Sequence, residues 1–408
     1  MPPLLRDLAF RRYWTAQTVS YLGDQVTFVA LPLVAVLALH ASPAEMGYLT
    51  AAGTLPNLLF SLHAGALADR RGRRRQAMIG ADLARAALLA TVPVAYALGA
   101  LTLGQLYAVA FLAGGLAVLF NVCSAGLFAA LVPRERYVEA NSLSRGSYSF
   151  SWVAGPGAGG VLVQVLSGPV ALLLDVASFL GSALLLRSIS PAEPAADPAS
   201  GGRVRDGLRF VRHSPTLRAK FAAGAGLNLF HTMYFTLLLL FAARELRLPA
   251  GAIGLALGGG AVGALLGAAV ATRTSRRIGL GPAFLLGSLL YPAALVLVPL
   301  AGGGRALAVT LLVTAEFGSG FGLMVLDVAG SALQQALTPD RLRSRVQGAY
   351  MALNYGIRPV AALAAGALGG WIGLRPTLWL AVAGGVASVL PLLPSPVPRL
   401  RELPAEVV

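Results

Sequence analysis

The chain has 408 residues, of which 56% are hydrophobic and 12% are charged, with a formal net charge of +15 at pH 7. Soluble proteins contain about 25% charged residues, so this composition excludes an ordinary water-soluble protein and indicates a chain surrounded mostly by lipid. The basic excess does not indicate a nucleic-acid-binding protein, because most of the 32 basic residues lie in alternate connections or at the chain ends. That asymmetry is typical of the cytoplasmic side of a membrane protein.

Apolar runs of membrane-crossing length follow one another along the chain. At roughly 20 residues per span, the length accommodates about twelve helices, and helices are favoured because backbone polar groups in lipid must bond internally. An even number of crossings places both termini in the cytoplasm of a plasma (inner) membrane. The predicted spans are 13–39, 47–67, 76–98, 105–131, 142–165, 169–186, 219–243, 250–272, 282–301, 306–336, 346–372 and 376–393.

The segment between spans 6 and 7 differs from the other connections. It contains the stretch Pro191–Gly202, rich in Pro, Gly and Ser, followed by apolar residues interleaved with arginines. We expect a cytoplasmic linker at 189–217 whose second part lies as a basic amphipathic segment on the inner membrane surface. The predicted domains are an N-terminal six-helix bundle, 1–188, this linker, and a C-terminal six-helix bundle, 218–408.

The two halves repeat in sequence. Residues 133–139 before span 5 correspond to 339–345 before span 11, and the Gly- and Pro-rich stretch 155–160 is echoed by Arg358-Pro359. Internal repeats of this kind predict two related bundles with a binding site between them. The predicted fold class is therefore an all-α membrane protein with twelve transmembrane helices in two pseudo-symmetric six-helix bundles.

The connection between spans 2 and 3 carries a basic motif, 65–75, which reads Gly-Ala-Leu-Ala-Asp-Arg-Arg-Gly-Arg-Arg-Arg. Short connections rich in Lys and Arg stay on the cytoplasmic side, and glycines suit a tight turn. The ordered pattern resembles the signature loop between helices 2 and 3 of the major facilitator superfamily, whose members are secondary transporters. The positions that carry the resemblance are Gly65, Asp69, Arg70, Gly72 and Arg73.

Other strings extend the resemblance. Residues 131–143 and 206–213 are similar to the efflux branch that includes macrolide-efflux proteins and the enterobactin exporter. The resemblance implies that the basic loop acts as a cytoplasmic gate. In it a carboxylate forms charge-assisted hydrogen bonds with arginines, and these bonds must break for the two halves to rock. It also implies an antiporter-like motif in span 5, at Gly155, Pro156, Gly159 and Gly160. Span 4 lacks the arginine that proton-coupled drug antiporters usually carry.

Charged side chains within spans cost roughly 2.5–3.5 kcal/mol each, so each indicates a function or a partner. Asp24 lies near the middle of span 1, and we interpret it as a proton or cationic-substrate site rather than a carboxylate satisfied by helix packing. Glu316 in span 10 is the corresponding candidate in the second half. The sequence does not choose which of the two binds the proton.

Four further charges lie within or near spans. Asp82 and Arg85 fall three residues apart on span 3, so we interpret them as a structural pair on one helical face. Asp327, near the cytoplasmic end of span 10, is predicted to be a gate or a structural pair. Arg358 in span 11 is a candidate partner of Asp327 or Glu316, or a binder of an anionic substrate.

Span 7, the repeat mate of span 1, adds uncharged candidates. Asn228 and His231 share one helical face, and Tyr234 with neighbouring phenylalanines would line an apolar drug cavity. The alternative is that these side chains bridge helices or face lipid.

The sequence contains no catalytic constellation, no phosphate-binding Gly-x-x-x-x-Gly-Lys and no metal-ligand cluster among its four scattered histidines. We therefore expect no enzyme, cofactor or bound metal. The predicted function is a monomeric secondary transporter that exports an amphipathic small molecule, drug-like or siderophore-like, in exchange for protons by alternating access. The alternatives are an importer of a sugar or organic acid on the same fold, and a membrane sensor that transports nothing.

Overall fold

The computed structural model describes residues 3–71, 73–190, 204–339 and 342–401, without the side chains of 61–71, 134, 204–207 and 344. Within those residues the chain forms α-helices and short 3-10 turns and contains no strand. The α-helices are α1 (Leu8–Leu37), α2 (Pro43–Arg71), α3 (Arg74–Ala97), α4 (Leu103–Leu131), α5 (Tyr137–Leu166), α6 (Gly168–Arg187), α7 (Val204–His213), α8 (Pro215–Arg244), α9 (Ala250–Ile278), α10 (Leu280–Ala293), α11 (Leu297–Leu300), α12 (Arg305–Ala336), α13 (Arg343–Trp371) and α14 (Leu374–Ala387).

Within the described residues, a helix lies at each of the twelve predicted spans. Ten segments are long and apolar enough to cross a membrane, with α10 and α11 forming one of them, Leu280–Leu300, around a 3-10 turn. The remaining two helices, α2 and α13, have 29 residues each, and at about 1.5 Å per residue they exceed the thickness of the hydrocarbon core. Large apolar side chains such as Leu184 and Trp371 are 67% and 83% exposed, a surface suited to lipid. The all-α membrane fold predicted from the sequence is confirmed.

The basic motif is more helical than predicted. The sequence predicts a loop at 65–75, but α2 continues to Arg71 and α3 begins at Arg74, which leaves only 72–73 between them. Helix formation continues past the membrane boundary because arginine and alanine are good helix formers. The side chains at Asp69 and Arg70 and the whole of Gly72 lie outside the described residues, and the backbone at Gly65 belongs to α2. Arg73 is exposed and precedes α3 without capping it.

The chain divides into two compact units. The first comprises residues 1–41 and 52–200, and the second comprises 42–51 and 201–408, so that the first turns of α2 group with the second unit. In the first unit α1 packs on α5 and α6, and α3 packs on α4 and α6. In the second unit α8 packs on α13 and α14, and α10 packs on α12 and α14. The same order of neighbours in both units is the pseudo-symmetry that the sequence repeats predict.

The predicted amphipathic segment forms α7 in the second unit. Its Val211 is buried against Leu217 and Phe221 of α8 and Val346 of α13. Arg209 and Arg212 are exposed on the same short helix. One face of α7 is therefore apolar and packed on α8 and α13, and the other is basic. Its contact with the inner membrane surface stays a prediction.

Candidate functional site

A buried arginine organises the centre of the first unit. Arg85 on α3 places Nη2 2.5 Å from Oδ1 of Asp82 on the same helix, and Nη1 3.4 Å from Oδ1 of Asp24 on α1. Its guanidinium carbon lies 4.1 Å from the ring centroid of Phe179 and 4.9 Å from that of Phe120. Carboxylate pairing and aromatic faces together provide a partner for a charge that would be costly to bury alone.

Sequence reasoning missed a third carboxylate at this centre. Asp175 on α6 is fully buried. Its Oδ2 accepts a hydrogen bond from the Thr27 hydroxyl of α1, and its Oδ1 lies 2.8 Å from Oγ of Ser178. Asp24 and Arg85 are the charged groups that act on it electrostatically. The signal was available, because Asp175 is the only charged residue within predicted span 6, 169–186. We call Asp24, Asp82, Arg85 and Asp175 the Arg85 cluster.

The Arg85 cluster contains more acidic than basic groups. Three carboxyls face one guanidinium, so full ionisation would leave an excess of negative charge in a setting of low dielectric. The side chain of Asp24 is 43% exposed, whereas those of Asp82 and Arg85 are 0% and 3% exposed. Asp24 is thus the most exposed of these three side chains, and Asp82 is fully buried.

The antiporter-like motif packs against the turn of α1 that carries Asp24. Gly155, Pro156, Gly159 and Gly160 are all buried on α5. A Cβ at Gly155 would overlap the side chain of Gln25, and one at Gly159 would lie 3.4 Å from the Gln25 carbonyl oxygen. The small residues therefore let α5 approach α1 directly beside Asp24.

A second group of polar side chains lies in the second unit. Tyr234 on α8 donates a hydrogen bond of 2.6 Å from its phenol oxygen to Oε1 of Glu316 on α12. The ring of His231 lies 5.2 Å from that of Tyr291 and 6.1 Å from that of Tyr234, centroid to centroid. Nδ1 of His231 is buried and has no hydrogen-bond partner within the described residues. The histidine and the carboxyl thus share one aromatic surrounding.

Arg358 binds amides in this structure. It donates a hydrogen bond of 3.1 Å to Oδ1 of Asn228, whose Nδ2 donates one of 2.5 Å to Oδ1 of Asn354. The guanidinium carbon lies 4.7 Å from the ring centroid of Tyr355. Asn354 and Tyr291 are further members that sequence reasoning missed, since neither carries a charge that would distinguish it within a span.

Glycines fix the helix that carries Glu316. A Cβ at Gly263 of α9 would overlap the Phe317 carbonyl oxygen, and one at Gly320 of α12 would overlap that of Gly260. At Gly260 a Cβ would lie 3.2 Å from the Glu316 carbonyl oxygen. Because the backbones of α9 and α12 are this close, the two helices have little freedom to move. Glu316 therefore lies on a rigid pair of helices. Asp327, by contrast, is exposed on α12.

Each unit thus contains an ionisable side chain, Asp24 in the first and Glu316 in the second, on a closely packed helix. Each of these side chains contacts a residue that is far away in the sequence. The chain matches the family of transmembrane secretion effectors over residues 1–406. It belongs to the major facilitator superfamily. The resemblance to that superfamily and to its efflux branch is confirmed, and the protein is a multi-pass membrane transporter.

Characterised relatives include efflux pumps. The multidrug efflux pump Tap of Mycolicibacterium fortuitum is 30% identical over 93% of this chain and 93% of its own length. The multidrug efflux pump Tap of Mycobacterium tuberculosis is 28% identical over 95% of this chain and 93% of its own.

Solved structures of the same fold cover almost the whole transporter. A bacterial homologue of the iron transporter ferroportin, in an inward-facing state, superposes with a TM-score of 0.73 at 20% identity over 95% of this chain and 98% of its own. The nucleoside transporter NupG superposes with a TM-score of 0.71 at 12% identity over 95% of this chain and 98% of its own. At these identities the likeness concerns the fold alone.

Proposed function

We propose that this transporter exports an amphipathic small molecule, drug-like or siderophore-like, in exchange for protons by alternating access. The relatives named as multidrug efflux pumps support export, and the surplus of carboxyls in the Arg85 cluster supports proton coupling. The transporter would work as a monomer in the inner membrane with both termini in the cytoplasm.

Asp24 is the proposed coupling residue, and its position carries the proposal. It combines a side chain that is 43% exposed with a contact of 3.4 Å to a buried arginine. A proton that binds Asp24 removes its attraction for Arg85 and leaves the guanidinium with Asp82 alone, which loosens the link between α1 and α3. Proton binding would in this way change the arrangement of α1 and α3 in the first unit.

The second unit would hold the substrate. Tyr234, His231 and Tyr291 offer aromatic faces, and Glu316 and Asn228 offer polar groups. Such a surface suits a molecule that is mostly apolar with a few polar groups. Arg358 would set the orientation of Asn228 through its hydrogen bond.

The motifs that resemble the superfamily have proposed roles as well. Gly65, Asp69, Arg70, Gly72 and Arg73 would gate the cytoplasmic side, as the resemblance implies. The span-5 stretch from Gly155 to Gly160 would keep α5 against the turn of α1 that carries Asp24.

Accumulation of ethidium, a fluorescent apolar cation, in proteoliposomes tests the proposal. With an acidic lumen, protons leave and the wild type should concentrate ethidium inside, whereas an uncoupler should abolish the accumulation. Asp24→Asn should equilibrate ethidium without concentrating it, and Asp24→Glu, which keeps the carboxyl, should retain part of the response. Undiminished accumulation by Asp24→Asn would disprove the coupling role, and accumulation that ignores the pH gradient would disprove proton exchange.

A further inference from the structure

Ser178 gives Asp175 a hydrogen-bond arrangement that suits two protonation states. Oγ of Ser178 lies 2.8 Å from Oδ1 of Asp175 and also 2.8 Å from the backbone carbonyl oxygen of Asp175. The hydroxyl has one proton, so it donates to only one of these oxygens at a time. When Asp175 is ionised, Ser178 donates to Oδ1. When Oδ1 carries a proton, Ser178 accepts that proton's hydrogen bond and donates to the carbonyl oxygen.

The rest of the Arg85 cluster singles out Asp175 among its carboxyls. Asp82 lies 2.5 Å from the guanidinium, whose charge balances its own, and the side chain of Asp24 is partly exposed. Asp175 is fully buried, and its hydrogen-bond partners are the neutral hydroxyls of Thr27 and Ser178. The charged groups that face it are Asp24 from α1 and Arg85, with its partner Asp82, from α3.

We propose that Asp175 binds and releases a proton during the transport cycle, which gives the first unit a second proton site behind Asp24. The proton adds to Oδ1, Ser178 turns from donor to acceptor, and Thr27 continues to donate to Oδ2. Gly23 makes the site possible, because a Cβ there would overlap Ser178 Oγ and Asp175 Oδ1. The transport role rests on the proposed proton exchange, whereas the proton site itself does not.

The proton stoichiometry of ethidium accumulation tests the role in transport. In proteoliposomes clamped at zero voltage with valinomycin and potassium, the logarithm of the ethidium ratio rises with the pH difference, and the slope is the number of protons exchanged. Asp175→Asn should lower that slope by one proton. Glu245→Gln is the matched control, since Glu245 is exposed and its ion pair of 3.5 Å with Arg375 is only partly buried.

The outcomes separate the two proposals. An unchanged slope in Asp175→Asn, beside a slope above zero in the wild type, would overturn the role of Asp175 alone. A wild-type slope of zero would overturn proton exchange itself.

Infrared spectroscopy tests the proton site without changing Asp175. In the protonated form Thr27 would bond the carbonyl oxygen of the acid, so Thr27→Val should shift the carboxylic-acid carbonyl band to higher wavenumber in protein reconstituted in vesicles. Thr236→Val, at a buried threonine that bonds the Thr232 carbonyl oxygen of α8, should leave the band in place. Absence of the shift in Thr27→Val would overturn the proposal.

Discussion

Arg85 and Asp82 form a buried ion pair on one face of α3, with 2.5 Å between Nη2 and Oδ1 and with side chains that are 3% and 0% exposed. The pair lies three residues apart, so the helix itself sets its geometry. The helix does not set the second contact of Arg85, which lies 3.4 Å from Asp24 of α1. The pair therefore links the geometry of α3 to the proposed coupling residue.

Replacement of Arg85 by methionine should destabilise the protein strongly. Removal of one partner from a buried pair leaves the other charge uncompensated, which costs about 3–5 kcal/mol. Thermal unfolding of purified protein in detergent measures the effect. The double variant Arg85→Met with Asp82→Asn should be more stable than Arg85→Met alone, because the buried carboxylate is then also neutral. A double variant that is less stable than the single one would contradict this assignment.

Loss of the Tyr234 hydroxyl should weaken the second unit. Tyr234→Phe leaves the half-buried carboxyl of Glu316 without its 2.6 Å donor, and loss of a hydrogen bond of this kind costs about 1 kcal/mol, or up to about 3 kcal/mol where the group is fully buried. The unfolding temperature in detergent should fall, and ethidium transport should fall with it. Tyr96→Phe is the control, since Tyr96 is 48% exposed near the end of α3. Equal unfolding temperatures for the two variants would show that the bond to Glu316 has no effect on stability.

The packing of α5 on α1 should be sensitive to a single methyl group. At Gly155 a Cβ would lie 2.6 Å from Cγ of Gln25, so Gly155→Ala must displace the turn beside Asp24, and we expect reduced ethidium accumulation. At Gly146 of the same helix, a Cβ would meet no atom within 4 Å. Gly146→Ala should transport normally and gain up to about 1 kcal/mol from helix propensity. Normal accumulation by Gly155→Ala would show that the close approach is not needed.

The contact between α9 and α12 should limit stability in the second unit. Gly263→Ala would drive a methyl group into the Phe317 carbonyl oxygen and should lower the unfolding temperature. Overpacking of this kind costs typically about 1–3 kcal/mol. Gly370→Ala on α13, where a Cβ has no neighbour within 4 Å, serves as the comparison and should be neutral or stabilising. The prediction fails when both variants unfold at the same temperature.

Hydropathy located the spans well but not the ends of the helices. Span 1 was predicted to begin at residue 13, whereas α1 begins at Leu8, where Asp7 caps it by accepting from the backbone N–H groups of Ala9 and Phe10. Span 5 was predicted from residue 142, whereas α5 begins at Tyr137. Hydropathy marks where lipid ends, and a helix continues into water as long as capping and propensity allow.

The site was harder to predict because its partners are distant in sequence. The pair Asp82–Arg85 followed from helical spacing alone. The contact of Thr27 with Asp175 spans 148 residues, and that of Asn228 with Asn354 spans 126. A single sequence shows how deep a residue lies in a span, but the direction in which a helix turns its polar face depends on packing against other spans.

Proton movement coupled to ethidium movement tests the central claim most directly. Proteoliposomes are loaded with ethidium and a pH-sensitive dye, clamped at zero voltage, and diluted into ethidium-free buffer. We expect the lumen of wild-type vesicles to acidify as ethidium leaves, and ethidium to leave Asp24→Asn vesicles without acidification. Acidification by Asp24→Asn at the wild-type rate, or its absence in the wild type, would contradict this expectation.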